Sequence, residues 1–81
     1  MKATIVGYTT LSGNPVTILQ MMQDTRVFDD LRGDEYIESV QQTAWRTFGI
    51  GLQVTGDTYE KRAESLLRAL AANEMIIIEE D

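Results

Sequence analysis

Three glycines, each followed by Asn or Asp and then by a helical pattern of apolar residues, constrain the fold of this chain most strongly. The pairs are Gly13-Asn14, Gly33-Asp34 and Gly56-Asp57. Asn and Asp are favoured N-caps because the side-chain oxygen accepts a backbone N–H of the first helical turn. Pro15 suits the first position of a helix, and Glu60 stands where a capping box with Asp57 requires it. We therefore predict three helices, over Pro15–Asp24, Glu35–Thr47 and Thr58–Ala72.

The apolar residues of the second and third helices recur at helical spacing, which predicts the face that each helix buries. The stripe of the second helix comprises Ile37, Val40, Ala44 and Phe48, with Tyr36 and Trp45 beside it. The stripe of the third helix comprises Tyr59, Ala63, Leu66, Leu67 and Leu70. We expect Trp45 in the core, with an interface as the alternative, and we expect Asn73 to end the third helix in a left-handed conformation.

Two segments at the ends of the chain are rich in β-branched residues and predict strands. They are residues 2–8 and Met75–Ile78, while Thr9–Asn14 is expected to be a turn or loop. Ile50–Val54 fits either a short strand or an extended loop. The predicted fold is α+β, with about three helices on a two- or three-stranded sheet in the order β-α-α-(β)-α-β. The first and last strands should pair, in either direction, because a lone strand is not stable.

The 81 residues predict one globular domain over residues 1–81, since two cores would leave each half too small to fold alone. No apolar run approaches the roughly 20 residues of a membrane span. Residues 1–6 lack the apolar region and cleavage site of a signal peptide. We therefore expect a cytoplasmic protein that does not bind membranes. A small sheet leaves edges, so a homodimer formed by strand addition through Met75–Ile78 is a further expectation.

The chain contains no histidine and no cysteine, which removes several classes of active site. Disulfides, cysteine-based zinc sites, histidine metal ligands and histidine-dependent triads each need one of these residues. No serine has a candidate base beside it. The loop between the first strand and the first helix fits neither the Walker pattern nor the dinucleotide fingerprint. We expect a protein that is not an enzyme and that has no catalytic residue, metal or cofactor.

The charge balance predicts the kind of partner. Seven Lys and Arg residues stand against thirteen Asp and Glu residues, a formal net charge of −6. The basic residues are scattered, whereas nucleic-acid binding proteins usually carry a basic patch. Nucleic acid is therefore disfavoured, and a basic protein partner is favoured. The acids are densest between residues 29 and 38, where Asp34 also has a structural role at the start of a helix.

We therefore predict a protein-interaction or regulatory module. The candidate partner-binding residues are Asp29, Asp30, Glu35, Glu38, Trp45 and Arg46. Trp beside Arg is a pairing enriched at interface hot spots. One alternative is an acidic inhibitor that occupies the nucleic-acid site of a basic protein, which requires carboxylates spaced along one face like phosphates. Another is a nucleic-acid binder that uses the third helix, where Lys61, Arg62 and Arg68 lie partly on one side.

In its size, its acidity and its lack of catalytic residues, the chain resembles the small accessory proteins carried by phages and conjugative elements of Gram-positive bacteria. The resemblance lies in these overall properties, and no residue role is carried over from it. It implies an accessory role on a mobile genetic element.

Overall fold

The fold is a three-stranded antiparallel sheet with helices packed against one of its faces. This computed structural model describes residues 1–5, 7, 9–24 and 33–79. The elements in chain order are β1 (Lys2–Ile5), β2 (Thr9–Ser12), α1 (Pro15–Asp24), α2 (Asp34–Phe48), α3 (Tyr59–Ala72) and β3 (Ile76–Glu79). The three helices and the small sheet confirm the predicted α+β class. The element order is β-β-α-α-α-β, which differs from the predicted order by an early second strand.

The sheet has the strand order β2-β1-β3, so the first strand of the chain is its centre. The prediction that the first and last strands pair is confirmed, and the pairing is antiparallel. Ile5 lies opposite Ile76, and Lys2 lies opposite Glu79. β2 and β3 are therefore the two edge strands of the sheet that the structure describes.

The two faces of the sheet differ because side chains alternate along each strand. Ala3 and Ile76 are buried towards the helices. Thr10 and Ile77 both lie opposite Thr4 on the other face, and both are exposed. The Thr4 and Thr10 hydroxyl oxygens are 3.1 Å apart across that face. The sheet thus has one covered face and one open face.

The loop predicted over Thr9–Asn14 is wrong, because Thr9–Ser12 forms β2. Its two threonines are β-branched, which favours a strand once a partner is present. Gly7 has a φ of 76°, a left-handed conformation that glycine adopts readily, and it allows the chain to reverse between β1 and β2. The turn-forming residues that suggested a loop act only after β2, where the N–H of Gly13 donates to the Met1 carbonyl at 3.0 Å.

Ile50–Val54 forms the extended loop rather than the short strand, since it pairs with no strand in the described part of the chain. Its backbone is held by a side chain instead, because the Gln41 amide donates to the Leu52 carbonyl at 2.9 Å. Leu52 is buried, so the loop still contributes to the core.

The starts of α1 and α3 are capped by side chains, but only one of the two caps is the predicted one. The Thr17 N–H donates to the Asn14 side-chain oxygen at 2.8 Å, which confirms Asn14 as the cap of α1. The predicted cap Asp57 is wrong, because the Thr58 hydroxyl accepts the Lys61 N–H at 3.2 Å. Thr58 adopts the extended backbone of an N-cap, so α3 begins one residue later than predicted.

The start of α2 and the end of α3 also differ from prediction. Asp34 is the first residue of α2 rather than its cap, and the cap position belongs to Gly33, which has no side chain to offer. The Asp34 carboxylate binds Arg62 instead. The left-handed stop predicted at Asn73 is wrong, since its φ is −100°. Glu74, with a φ of 61°, takes that conformation one residue later.

The core lies between the covered face of the sheet and the helices. α1 packs on α3, and α3 packs on β3. The side chains with no measurable exposure come from α1 and α3, and the large ones are Ile18, Leu19, Leu66 and Leu67. The stripe predicted for α3 is confirmed at Ala63, Leu66, Leu67 and Leu70. α2 adds Tyr36, Ile37 and Ala44, which leaves its opposite side free to face solvent.

Candidate protein-binding surface

Four of the six residues predicted to bind a partner lie on one exposed side of α2. Together with Gln42 they form what we term the α2 outer face, which consists of Glu35, Glu38, Gln42, Trp45 and Arg46. The last four of these residues lie three, seven, ten and eleven positions after Glu35. Because an α-helix turns by about 100° per residue, this spacing places all five on one side. Asp29 and Asp30, the other two predicted residues, lie outside the described residues.

Two large aromatic side chains near the end of α2 are exposed, against expectation. Trp45 is 64% exposed and Phe48 is 62% exposed. The sequence predicts both on or beside the buried stripe, and for both residues that prediction is wrong. The buried part of the stripe is Tyr36, Ile37 and Ala44, with Val40 partly covered, so burial fades along the last turn of α2.

The exposure of the two rings follows from where α2 ends. Gly49 stops the helix with a left-handed φ of 69°, and its N–H donates to the Trp45 carbonyl at 3.0 Å. The next residue, Ile50, donates to the Ala44 carbonyl at 3.2 Å and turns the chain back into the loop. The loop covers the inner side of the helix end, and no described element covers the side that carries Trp45.

Two hollows flank this end of α2. A shallow groove of about 470 Å³ is lined by Glu38, Gln41, Gln42, Trp45 and Arg46, so three of the predicted residues share it. A smaller hollow of about 240 Å³ is mainly apolar and has Phe48 in its wall, together with residues of α1, α3 and the sheet such as Met22, Leu70 and Ile76. The end of α2 therefore has a charged groove on the α2 outer face and an apolar hollow beside Phe48.

Asp34, at the first turn of α2, is engaged within the protein. The Arg62 Nε donates to Asp34 Oδ1 at 2.7 Å and the Arg62 Nη2 donates to Oδ2 at 3.0 Å, a two-point ion pair between α2 and α3. The hydrogen bond from Arg62 to Asp34 raises the pKa of Arg62 above its ordinary value. Arg62 also donates to the Gly56 carbonyl at 3.2 Å. Asp34 is thus a link between helices, and the acids left for a partner on α2 are Glu35 and Glu38.

The cations predicted for a nucleic-acid site on α3 are largely paired with carboxylates. Arg62 binds Asp34, and the Arg68 Nη2 lies 2.9 Å from a Glu64 carboxylate oxygen one helical turn away. A cation that already faces a carboxylate attracts phosphate less than a free one. Among the three cations predicted for this site, only Lys61 has no ion pair with a described residue. The arrangement gives no support to this alternative.

Sequence reasoning missed Phe48, Gln41 and Gln42 as surface residues near Trp45. A signal for Phe48 was present, because Gly49 is a typical residue for the end of a helix. Side chains in the last turn of a helix extend beyond the elements that cover its middle. A local signal also existed for the two glutamines, because they lie three and four residues after Glu38 and the groove is lined by side chains of α2 alone.

The described residues contain no group of three or more acidic side chains that could hold a metal ion. Within the same ranges, no helix has both the length and the apolar character needed to cross a bilayer. Comparisons with protein-family models, with characterised proteins and with solved structures find no match for this chain. The α2 outer face carries an indole ring, a guanidinium and two carboxylates on one helix.

Proposed function

We propose that this protein is a non-enzymatic interaction module that binds a partner protein through the α2 outer face. The observation that carries the proposal is the 64% exposure of Trp45. Exposing a large indole to water is unfavourable, and Trp and Arg are among the residues that contribute most to binding at interfaces. Arg46 is next to Trp45, and both line the same groove. The proposal keeps the cytoplasmic location expected from the sequence.

The charges of the α2 outer face define the chemistry of the partner. Glu35 and Glu38 lie at one end, and Trp45 and Arg46 lie at the other. Ten residues separate Glu35 from Trp45, a distance of about 15 Å along the helix. Glu38 lies seven residues, or about 10 Å, from Trp45, so the partner we propose has an apolar pocket for the indole and Lys or Arg side chains about 10–15 Å from it. The net charge of −6 favours the same kind of partner, because it attracts a basic surface over a distance.

The test uses the Trp45→Ala variant as bait beside the wild type. A lysate of the organism that encodes the chain is passed over each immobilised protein, and the captured proteins are quantified by mass spectrometry. A hot-spot Trp contributes about 2 kcal/mol or more, so Trp45→Ala should weaken binding about thirtyfold. Met21→Ala is the matched control, because Met21 is an exposed apolar residue, 37% exposed, on another helix.

The proposal requires a protein that the wild type and Met21→Ala capture and that Trp45→Ala loses. With that protein purified, titration calorimetry should show weaker binding to the Glu35→Lys/Glu38→Lys variant and weaker binding at higher salt. Equal capture by the wild type and Trp45→Ala would overturn the proposal. The alternative of an acidic inhibitor also predicts a basic partner and salt dependence. It differs in predicting that the loss of Trp45 leaves binding unchanged.

We also propose that two copies of the chain associate through the Met75–Ile78 segment. Its residues from Ile76 onward form β3, an edge strand of the sheet. An edge strand presents unpaired backbone N–H and C=O groups, which a strand from another chain can satisfy. Sedimentation velocity over a range of protein concentrations tests this part of the proposal, which requires a species of twice the monomer mass.

A further inference from the structure

The first three residues of the edge strand β3 carry no charge, no Pro and no bulge, each of which would hinder pairing at a sheet edge. Such edges commonly carry Lys, Pro or a bulge. β3 reads Ile76, Ile77, Ile78 and Glu79, and it pairs with β1 without a bulge. Ile77 is 54% exposed on the open face of the sheet. Its described neighbours across that face are hydroxyl-bearing Thr4 and Thr10, so Ile77 is an exposed apolar residue beside an edge that no described strand pairs with.

We propose that β3 of a second copy pairs antiparallel with this edge in a register centred on Ile77, which gives a continuous six-stranded sheet across a twofold axis. This inference rests on the proposed self-association. A twofold axis perpendicular to the sheet must pass beside a residue that faces its own copy, since facing residues share one side of the sheet. The register is therefore fixed by the choice of that single residue.

The side chains favour Ile77 as the central residue. With Ile77 facing Ile77 of the second copy, Ile76 faces Ile78, so that all three facing pairs join isoleucines. Pairs of β-branched residues stabilise neighbouring strands. If Ile76 were central, Ile78 would face Glu74, and if Ile78 were central, Ile77 would face Glu79. Either shift places a carboxylate opposite an isoleucine.

The charge within β3, that of Glu79, is compatible with the register centred on Ile77. Glu79 then faces Met75 of the second copy, and the two Glu79 residues lie four positions apart, about 13 Å. Within each copy, Glu79 is already opposite Lys2 on β1. The two Glu79 carboxylates are thus kept apart, and each has Lys2 opposite it on its own sheet.

The helical side of the same edge provides the remaining contact area. A stable dimer buries about 800 Å² from each copy, more than three facing residue pairs supply. Beside β3, Arg68, Ala71, Ala72 and Ile78 line an open groove of about 530 Å³. The two alanines are small enough for α3 of the second copy to approach closely. Arg68 is paired with Glu64, so the approach does not bring together two uncompensated cations.

Two measurements test the inference, and the cysteine-free chain makes the second one simple. Sedimentation velocity compares the wild type with Ile77→Lys, which places two ammonium groups face to face at the axis. The matched control is Thr10→Lys, because Thr10 is exposed opposite Thr4 in the same row on the other edge. We expect the wild type and Thr10→Lys to sediment as dimers and Ile77→Lys to sediment as a monomer. Circular dichroism checks that each variant is folded.

The register is tested with single cysteines oxidised by glutathione disulfide. Facing residues of antiparallel strands have Cα atoms about 4.5–5.5 Å apart, which a disulfide can bridge. Ile77→Cys should therefore form a covalent dimer, and Glu79→Cys, about 13 Å from its copy, should not. A wild type that remains a monomer at every concentration overturns the self-association itself. A wild-type dimer with no Ile77→Cys cross-link, or with a Glu79→Cys cross-link, overturns the register alone. A dimer lost in Thr10→Lys assigns pairing to β2 and overturns the use of β3.

Discussion

Replacing Gly56 with alanine should destabilise the protein more than the same change at Gly49 or Gly51. A Cβ atom at Gly56 would lie 2.7 Å from Lys61 Cβ, 2.9 Å from the backbone nitrogen of Arg62 and 2.9 Å from the carbonyl carbon of Lys61. Two of these three atoms are backbone, so relief requires a shift of the first turn of α3. Gly56 also has a φ of 144°, which L-residues rarely adopt.

The expected cost combines backbone strain of about 1–3 kcal/mol with overpacking of about 1–3 kcal/mol, a total of about 2–6 kcal/mol. A chain of this length has a total stability of about 4–12 kcal/mol. Gly51→Ala is the matched control, because Gly51 has no positive φ and no atom within 4 Å of the added Cβ. It should change stability by less than about 1 kcal/mol.

Urea denaturation followed by circular dichroism gives the free energy of unfolding of each variant. Gly49→Ala should lie between the other two, since Gly49 has a φ of 69° but open space around the added Cβ, at a cost of about 1–2 kcal/mol. The reasoning is refuted if Gly56→Ala unfolds at the same urea concentration as Gly51→Ala.

Three further changes test other parts of the fold by urea denaturation. Leu66→Ala, at a side chain with 0% exposure, should cost about 2–5 kcal/mol. Asn14→Ala should cost about 1 kcal/mol, because it removes the acceptor of the Thr17 N–H. Arg62→Gln should lower the urea midpoint by breaking the ion pair with Asp34. The folded-state pKa of Arg62 is raised, so its contribution to stability is fully present below the ordinary pKa of an arginine and is lost only as the pH rises through the raised value. The difference in the free energy of unfolding between Arg62→Gln and the wild type should thus be constant between about pH 6 and pH 9.

The parts of the fold that the sequence predicts depend on local chemistry. Three helices, the cap at Asn14 and the buried face of α3 follow from capping residues and from apolar spacing, both of which act within one or two turns. Pairing of the first and last strands also follows, because each needs a partner. The direction of this pairing does not follow from the sequence, since the chain between the two strands is long enough for parallel or antiparallel pairing.

Three of the wrong predictions concern residues whose surroundings come from distant parts of the chain. Asp34 has the chemistry of a cap, but Arg62, 28 residues later, competes for its carboxylate. Thr9–Ser12 resembles a loop until β1 supplies a partner. Trp45 resembles a core residue because the spacing of the apolar residues places it beside the apolar side of α2. This spacing does not indicate how far along α2 the elements that cover it extend.

Both proposed binding surfaces lie where the described elements leave part of the structure uncovered. In the described part of the chain β3 is an edge strand, and α2 carries Trp45 and Phe48 beyond the elements that cover its middle. A partner present at 100 times its dissociation constant would raise the free energy of unfolding by about 2.7 kcal/mol. That gain is a substantial part of the roughly 4–12 kcal/mol expected for the chain alone. The two surfaces lie on different elements, so a dimer formed through β3 would carry two α2 outer faces, and a partner with two sites could bind both at once.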